Sequence, residues 1–262
     1  MHADIPPPVV LIIAGHDPSG GAGMVADIQT VSALGGHPAP VISAITVQDT
    51  VNVRQVETVS PQLIASQARA VLADMPVATI KLGLVVTADA AQAIVQILKA
   101  HAEIPVVLDP VLAAGGGAQL VDETMINAYL ESLVPLATVI TPNTAESRRL
   151  APHANDTQSR AAALLARGCR HVLITGADEH TSDVHNSFFS QEGTQQQFSW
   201  PRLPGNYHGS GCTLAAAIAT LIALGNAPLA AVELAQRYTW ETLKHGWPLG
   251  KGQRVPNRQI KS

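Results

Sequence analysis

The sequence predicts an α/β protein built on an open, mostly parallel sheet, and two observations support this fold class. Short runs of β-branched residues alternate with longer segments rich in alanine and leucine, as expected when helices connect parallel strands by right-handed crossovers. The short runs also lack a polar residue at every second position, which is typical of strands buried on both faces. We expect one domain over residues 1–262.

The individual elements follow from these runs in chain order. Strands are predicted at 9–13, 41–47, 79–81, 106–108, 139–141 and 171–175. Helices are predicted at 23–34, 62–72, 88–101, 124–133, 146–150 and 159–167. The runs 187–189 and 197–200 flank a polar turn at Gly193 and predict a hairpin at the sheet edge. We expect a loop at 153–158, a tail at the opening prolines and a C-terminus over 250–262 that follows the surface.

Composition excludes several classes of function. Of the 262 residues, 47% are hydrophobic and 14% charged, which is enough apolar material for a large core. A net charge of -4 and 3% aromatic residues argue against nucleic-acid partners. The longest apolar run, 214–224, is too short to cross a bilayer, and residues 1–8 do not resemble a signal peptide. Two cysteines, Cys169 and Cys212, give no disulfide framework, so we expect a cytoplasmic protein with no membrane partner.

A glycine-rich segment follows the first predicted strand. Residues 14–27 read AGHDPSGGAGMVAD, and the backbone at such glycines approaches a ligand closely because no Cβ intervenes. The spacing matches neither the dinucleotide-binding nor the P-loop motif. Asp27 is expected one turn into the next helix, facing a cleft or solvent. The alternative is a plain surface loop, with Asp27 favoured there by the helix dipole.

The segment 208–213, His-Gly-Ser-Gly-Cys-Thr, precedes an alanine-rich helix. Small residues at this point leave the first N–H groups of the helix open, and with the positive end of the dipole they form an anion site. We expect the same field to lower the pKa of the Cys212 thiol. The alternative is that Ser210 is an N-cap and Cys212 a small core residue.

Oxygen donors follow two further strands. Asn143 and Glu146 come after the strand at 139–141 and either form a capping box or orient water around Mg²⁺. Asp109 follows the strand at 106–108. Because the carboxyl ends of parallel strands share one edge of a sheet, these donors favour a metal–phosphate site.

Six segments resemble, in the same order, the hydroxymethylpyrimidine/phosphomethylpyrimidine kinases of thiamin biosynthesis, in the ribokinase-like superfamily. These segments are 13–27, 41–50, 80–83, 108–111, 140–146 and 208–219. The resemblance implies a three-layer α/β/α sandwich with a mostly parallel central sheet, and a homodimer. It also implies transfer of the γ-phosphoryl group of ATP to 4-amino-5-hydroxymethyl-2-methylpyrimidine, and then to the resulting monophosphate.

The resemblance further implies roles for single residues. The positions that match pyrimidine-binding residues are Gly15, Asp27 and Gln48. Those that match Mg²⁺-binding residues are Asp109 and Glu146. The nucleotide-binding positions are Asn143, Glu146, Thr175 and Thr213. The backbone N–H groups that cradle the transferred phosphoryl group belong to Gly209, Ser210, Gly211 and Cys212, and the Cys212 thiol occupies the position of the catalytic base.

The chain departs from the family pattern at two places where a lysine is usual. Thr175 stands in place of the first lysine and Ala177 in place of a following glycine, while residues 112–117 lack the second. Weak activity, a different mode of nucleotide binding and compensation by Lys81 are the open explanations. The alternative functions are a pyridoxal/pyridoxine kinase and a non-catalytic vitamer-binding relative.

Overall fold

One mixed sheet carries nine strands in the computed structural model, which describes residues 6–260. The strands are β1 (Val9–His16), β2 (His37–Gln48), β3 (Val53–Thr58), β4 (Val77–Leu82), β5 (Val106–Leu108), β6 (Val139–Ile140), β7 (His171–Ile174), β8 (Asp183–Ser190) and β9 (Gln195–Pro201). Their order is β3-β2-β1-β4-β5-β6-β7-β8-β9. In this order, each neighbouring pair within β2-β1-β4-β5-β6-β7 is parallel. Strand β3 pairs antiparallel with β2, β8 with β7, and β9 with β8. The mostly parallel sheet and the hairpin at its edge are thus confirmed.

Helices cover both faces of the sheet. They are α1 (Gly23–Ala33), α2 (Pro61–Asp74), α3 (Ala88–Ala100), α4 (Glu123–Ala128), α5 (Thr144–Leu150), α6 (Thr157–Leu165), α7 (Ser210–Ala223) and α8 (Pro228–Lys244). Alternate residues of β1 point to opposite faces: Leu11 and Ile13 pack with α2, α3, α4 and α6, while Val10 and Ile12 pack with α1, α7 and α8. The predicted three-layer sandwich is confirmed. No helix within the described range is long and apolar enough to span a membrane.

Two elements escaped the sequence prediction. Strand β3 lies at the sheet edge and is mostly exposed, so it has no apolar run. Helix α8 begins at Pro228, a residue favoured in the first helical turn, and buries a face that includes Val232, Ala235 and Thr239.

Two predicted elements were wrong in part. The helix expected at 124–133 ends as an α-helix at Ala128 and continues as a π-helical turn (Tyr129–Leu133) and a 3-10 turn (Val134–Leu136). Pro135 in the last turn has no N–H to continue the α-helical ladder. The surface-following C-terminus expected over 250–262 is also wrong in part, because Val255, Pro256 and Arg258 are buried, although residues 250–252 are exposed. Positions 1–5 and 261–262, where the signal-peptide and tail interpretations also apply, lie outside the described residues.

Candidate active site

A cavity of about 450 Å³ opens at the carboxyl ends of the parallel strands, where ligands bind in open α/β sheets. It brings together most of the residues predicted from the sequence: Gly15, Gln48, Asp109, Asn143, Glu146, Thr175, Gly209, Ser210, Gly211 and Cys212. Two predicted residues, Asp27 and Thr213, are fully buried and do not line it.

The N-terminus of α7 forms one wall of the cavity. Its N-cap is Gly209, not Ser210, and no side chain caps the helix. Gly209 has φ of 68°, and a Cβ there would collide with the backbone of Gly21 and Ala22, so the turn requires glycine. The first helical hydrogen bond runs from Thr213 N–H to the Gly209 carbonyl at 2.9 Å. The N–H groups of residues 210–212 precede it and have no acceptor within the helix, which is the geometry of an anion site.

Cys212 lies in this first turn, partly exposed. Burial by surrounding protein atoms and the nearby Asp109 carboxylate raise the pKa of its thiol to about 12, although Lys81 opposes the shift. The thiol lies close enough to Asp109 for the two groups to shift each other's pKa. The expectation that the helix field lowers this pKa is therefore wrong for the ligand-free site, because desolvation and two neighbouring carboxylates outweigh the dipole.

Lys81 lines the cavity and lies between two carboxylates. Its Nζ lies 2.8 Å from Asp27 Oδ2 and 3.7 Å from Asp109 Oδ2. Burial raises the pKa of Asp27 to about 6 even though Lys81 opposes the rise. The Lys81 charge is held by these two carboxylates, so the structure does not free Lys81 to replace the missing lysines. Asp27 faces Lys81 and neither the cavity nor solvent, and its role in pyrimidine binding stays a prediction.

Glu146 and Asn143 form the capping box that the sequence allowed. Asn143 Oδ1 accepts from Glu146 N–H at 2.8 Å, and Glu146 Oε2 accepts from Asn143 N–H at 2.9 Å. Asp178, which the sequence prediction missed, accepts from the N–H groups of Thr144 and Ala145. The N-terminus of α5 is thus satisfied by side chains, whereas that of α7 is open.

Asp109 and Glu146 are the carboxylates of this cavity that suit a divalent cation. Asp109 Oδ2 is buried without a hydrogen-bond partner among residues 6–260. Burial and the Asp109 charge raise the pKa of Glu146 to about 8. No cluster of three or more His, Cys, Asp or Glu side chains suited to a metal occurs within residues 6–260. Two carboxylates suffice for Mg²⁺, which takes its remaining ligands from water and phosphate, so the residues fit this ion.

Gln48 lies at the end of the cavity formed by β1 and β2. Its Nε2 donates to Thr46 Oγ1 at 2.8 Å, and Thr46 Oγ1 in turn donates to the His16 carbonyl at 2.9 Å. These bonds fix the Gln48 amide with its oxygen directed away from Thr46. Gly15 also lines the cavity and pairs with Ala44 of β2, and a Cβ at this position would lie 3.1 Å from Leu84 Cδ2.

The opposite end of the cavity carries two tryptophans, and its residues were not predicted from the sequence. Trp200 of β9 and Trp240 of α8 lie with ring centroids 6.4 Å apart. Gln236 Oε1 accepts from Trp200 Nε1 at 3.1 Å and from Asn186 Nδ2 at 2.8 Å. Detecting α8 from its periodic buried face would have placed Gln236 and Trp240 at this site.

A carboxylate–imidazole pair joins the glycine-rich segment to the loop before α7. His208 Nε2 lies 3.1 Å from Asp17 Oδ2, and Asp17 also accepts from the N–H groups of Ser19 and Ala22 at 2.8 Å each. The sequence Asp-Pro-Ser predicts such a side-chain turn, but the pairing with His208 depends on tertiary contacts.

Comparisons with known proteins agree with this geometry. Residues 17–257 match the family model described as phosphomethylpyrimidine kinase. The hydroxymethylpyrimidine/phosphomethylpyrimidine kinase of Salmonella typhimurium is 41% identical over 217 residues, which cover 80% of this chain and 81% of that protein. The thiamine biosynthesis bifunctional protein of Geobacter sulfurreducens is 38% identical over 254 residues. That match covers 95% of this chain but 52% of the other, so the chain spans about half the length of this relative.

A solved structure gives the same result for the fold. The pyridoxal kinase from Staphylococcus aureus in complex with AMP-PCP and pyridoxal superposes with a TM-score of 0.87 at 26% identity, over 97% of this chain and 94% of that one. The family match over most of the chain, together with a relative at 41% identity, shows what the six collinear segments predicted. The chain belongs to the phosphomethylpyrimidine kinase family.

Proposed function

We propose that this protein transfers the γ-phosphoryl group of ATP to the hydroxymethyl group of 4-amino-5-hydroxymethyl-2-methylpyrimidine, and then to the resulting monophosphate. One observation carries the proposal: a single cavity joins the amide of Gln48 to the open N-terminus of α7. The first feature suits an aminopyrimidine edge, and the second suits a phosphoryl group.

Ring recognition is assigned to Gln48 and to the backbone at Gly15. A primary amide donates to one ring atom and accepts from its neighbour, which matches a ring nitrogen beside an exocyclic amine. Asp27 is assigned an indirect role, because its carboxylate holds Lys81 in the wall of the cavity.

Phosphoryl transfer is assigned mainly to the backbone donors of α7. The transition state spreads negative charge over the equatorial oxygens, so fixed N–H groups at Ser210, Gly211 and Cys212 stabilise it without reorganising. Cys212 is proposed to accept the hydroxyl proton. A thiolate of raised pKa is a stronger base toward an alcohol, but it forms in fewer molecules at neutral pH.

Asp109 and Glu146 would hold Mg²⁺, which supplies positive charge to the phosphates when bound. Asp109 directly follows β5, and Glu146 lies in the first turn of α5, which follows the neighbouring strand β6. Glu146 keeps its carboxylate aligned through Asn143 N–H.

The nucleotide is assigned to the remaining length of the cavity, toward Trp200 and Trp240. Aromatic faces suit a purine base. Thr175 and Asn143 also line the cavity, and a β-bridge joins them after β7 and β6. Of the explanations for the absent lysines, this arrangement favours a different mode of nucleotide binding. Thr213, which is buried, acts through the Gly209 carbonyl.

A pyridoxal kinase is the second candidate, because a pyridoxal kinase superposes over nearly the whole chain. Incubation with ATP, Mg²⁺ and each alcohol, followed by ³¹P NMR, separates the possibilities. The proposal expects a phosphomonoester and then a diphosphate from the pyrimidine. A phosphoester from pyridoxal alone supports the second candidate, and binding without any phosphoester supports a non-catalytic relative.

We also propose one domain over residues 1–262, a homodimer and a cytoplasmic location. One continuous sheet with every described strand supports the first. Exposed apolar side chains on and after β2, at Ile45, Val47 and Val51, support an interface with a second copy.

A further inference from the structure

Arg258 lies in the C-terminal segment that was expected to follow the surface, yet only 1% of the residue is exposed. Its backbone is anchored to α8, since its carbonyl accepts from Tyr238 Oη at 2.7 Å and the preceding Asn257 N–H donates to the Thr242 carbonyl at 3.0 Å. The family match ends at residue 257, one position before this arginine.

The guanidinium group contacts both segments that form the anion site. Nη1 and Nη2 donate to the carbonyls of Gly20 and Gly21 in the glycine-rich segment. Nε donates to Thr213 Oγ1 at 2.8 Å, and Thr213 Oγ1 donates to the carbonyl of Gly209 at 2.8 Å. A single side chain thus links the turn before α1 to the N-cap of α7.

This link bears directly on the position of the α7 donors. The backbone of Gly209 packs against Gly21 and Ala22 so closely that a Cβ would not fit. A shift of the glycine-rich segment therefore changes the setting of the N-cap, and with it the direction of the first N–H groups. Arg258 fixes both sides of this contact.

The Arg258 guanidinium donates to neutral groups in the described part of the chain. Its acceptors there are the hydroxyl of Thr213, the amide oxygen of Gln29 and two backbone carbonyls. The carboxylates of Asp27 and Asp17 favour its charged form from a greater distance and offset part of the cost of desolvation. A buried cation beside an open helix N-terminus adds to the positive potential where a phosphoryl group would develop negative charge.

We propose that Arg258 is a positioning residue for phosphoryl transfer, which rests on the proposed function of the α7 site. It holds the glycine-rich segment against the first turn of α7 and adds a fixed positive charge to that anion site. Lysine cannot reproduce this role fully, because its ammonium lacks the planar fork that reaches several acceptors at once.

The test compares Arg258→Met and Arg258→Lys with Arg69→Met, a matched change at an exposed arginine on α2. Arg258→Met is expected to lower kcat by about 10²-fold, since small misplacements of donors have such effects, while KM for the pyrimidine changes by less than about threefold. Arg258→Lys is expected to recover part of kcat, and Arg69→Met to match wild type. Thermal unfolding shows that each variant is folded at the assay temperature.

Amide hydrogen exchange gives a second readout that does not need activity. In Arg258→Met, exchange should accelerate at residues 19–23 and 209–213 while β1 and β4 stay protected. Loss of kcat and KM together, with faster exchange throughout, would assign Arg258 a general structural role and overturn the proposal. Wild-type kcat with unchanged exchange would also overturn it. If wild type shows no turnover, the proposed function fails, and the exchange pattern still decides whether Arg258 positions the two segments.

Discussion

Lys81 and Asp27 form an ion pair in which both side chains are fully buried, with 2.8 Å between Lys81 Nζ and Asp27 Oδ2. Asp109 Oδ2 lies 3.7 Å from the same ammonium nitrogen, and the Asp109 charge raises the pKa of the Cys212 thiol. Within the pair, Lys81 lines the cavity where the reaction is proposed, and Asp27 supports Lys81 from behind.

Removing one partner of this pair should destabilise the protein strongly. Lys81→Met leaves Asp27 buried without its cation, and we expect a loss of about 3–5 kcal/mol in the free energy of unfolding. The double variant Lys81→Met with Asp27→Leu should recover a large part of that loss, because neither charge is then buried. Urea unfolding of the single and double variants measures this, and equal destabilisation by both would show that the ion pair is not the cause.

The Asp17 carboxylate should make stability sensitive to acid. Burial opposes its charged form, but hydrogen bonds from His208, Ser19 and Ala22 outweigh burial and lower its pKa. A lowered pKa contributes stability above the unfolded pKa of about 3.9, and this contribution is lost as pH falls toward the folded value. Asp17→Asn should cost about 1–3 kcal/mol at neutral pH, and the difference from wild type should shrink below about pH 4. A difference independent of pH between 3 and 7 would contradict the assignment.

Cys212 is predicted to serve the chemical step and not substrate binding. Cys212→Ala leaves the backbone donors of α7 in place, so the pyrimidine should bind normally while turnover falls by the roughly 10²–10⁴-fold that a general base contributes. Cys212→Asp should restore part of the rate, and Cys212→Ser should not, because a hydroxyl stays protonated there. Cys169→Ala, a change at a buried core cysteine away from the cavity, is the control. Near-wild-type turnover in Cys212→Ala would contradict the role of the thiol as base and assign catalysis to the backbone N–H groups of α7 alone.

Glu146→Gln should weaken catalysis more than it weakens pyrimidine binding, because the carboxylate is assigned to the Mg²⁺-bound phosphates. Calorimetry with the pyrimidine alone should look nearly wild-type, while the Mg²⁺ concentration needed for half-maximal turnover should rise. Glu103→Gln, on an exposed loop, provides the matched control. If pyrimidine affinity collapses in Glu146→Gln, Glu146 contacts the acceptor ring and not the phosphates.

The strands of the parallel core were predictable because a strand buried on both faces has a continuous run of apolar residues, as in Val9–His16. Gln48 and Cys212 were found through local segments that resemble a family. Strand β3 was not, since an exposed edge strand such as Val53–Thr58 has no hydrophobic pattern. Arg258 was not found either, because its partners at Gly20 and Thr213 are distant in sequence and only tertiary packing brings them to one guanidinium group.

The raised pKa of Cys212 shows a further limit of sequence reasoning. A helix N-terminus is visible in the sequence, and its field predicts a lowered thiol pKa. Of the competing carboxylates, Asp109 follows β5 and Asp27 lies in α1, so their distances from the thiol depend on the assembled sheet. Desolvation depends on the same packing.

Initial rates of ADP release with each vitamer test the central claim most directly. With purified protein, ATP and Mg²⁺, the account predicts turnover of 4-amino-5-hydroxymethyl-2-methylpyrimidine with a kcat/KM at least about tenfold above that for pyridoxal, a margin that a hydrogen-bonding site such as Gln48 is able to supply. A preference for pyridoxal, or binding of the pyrimidine with no ADP release, would contradict it.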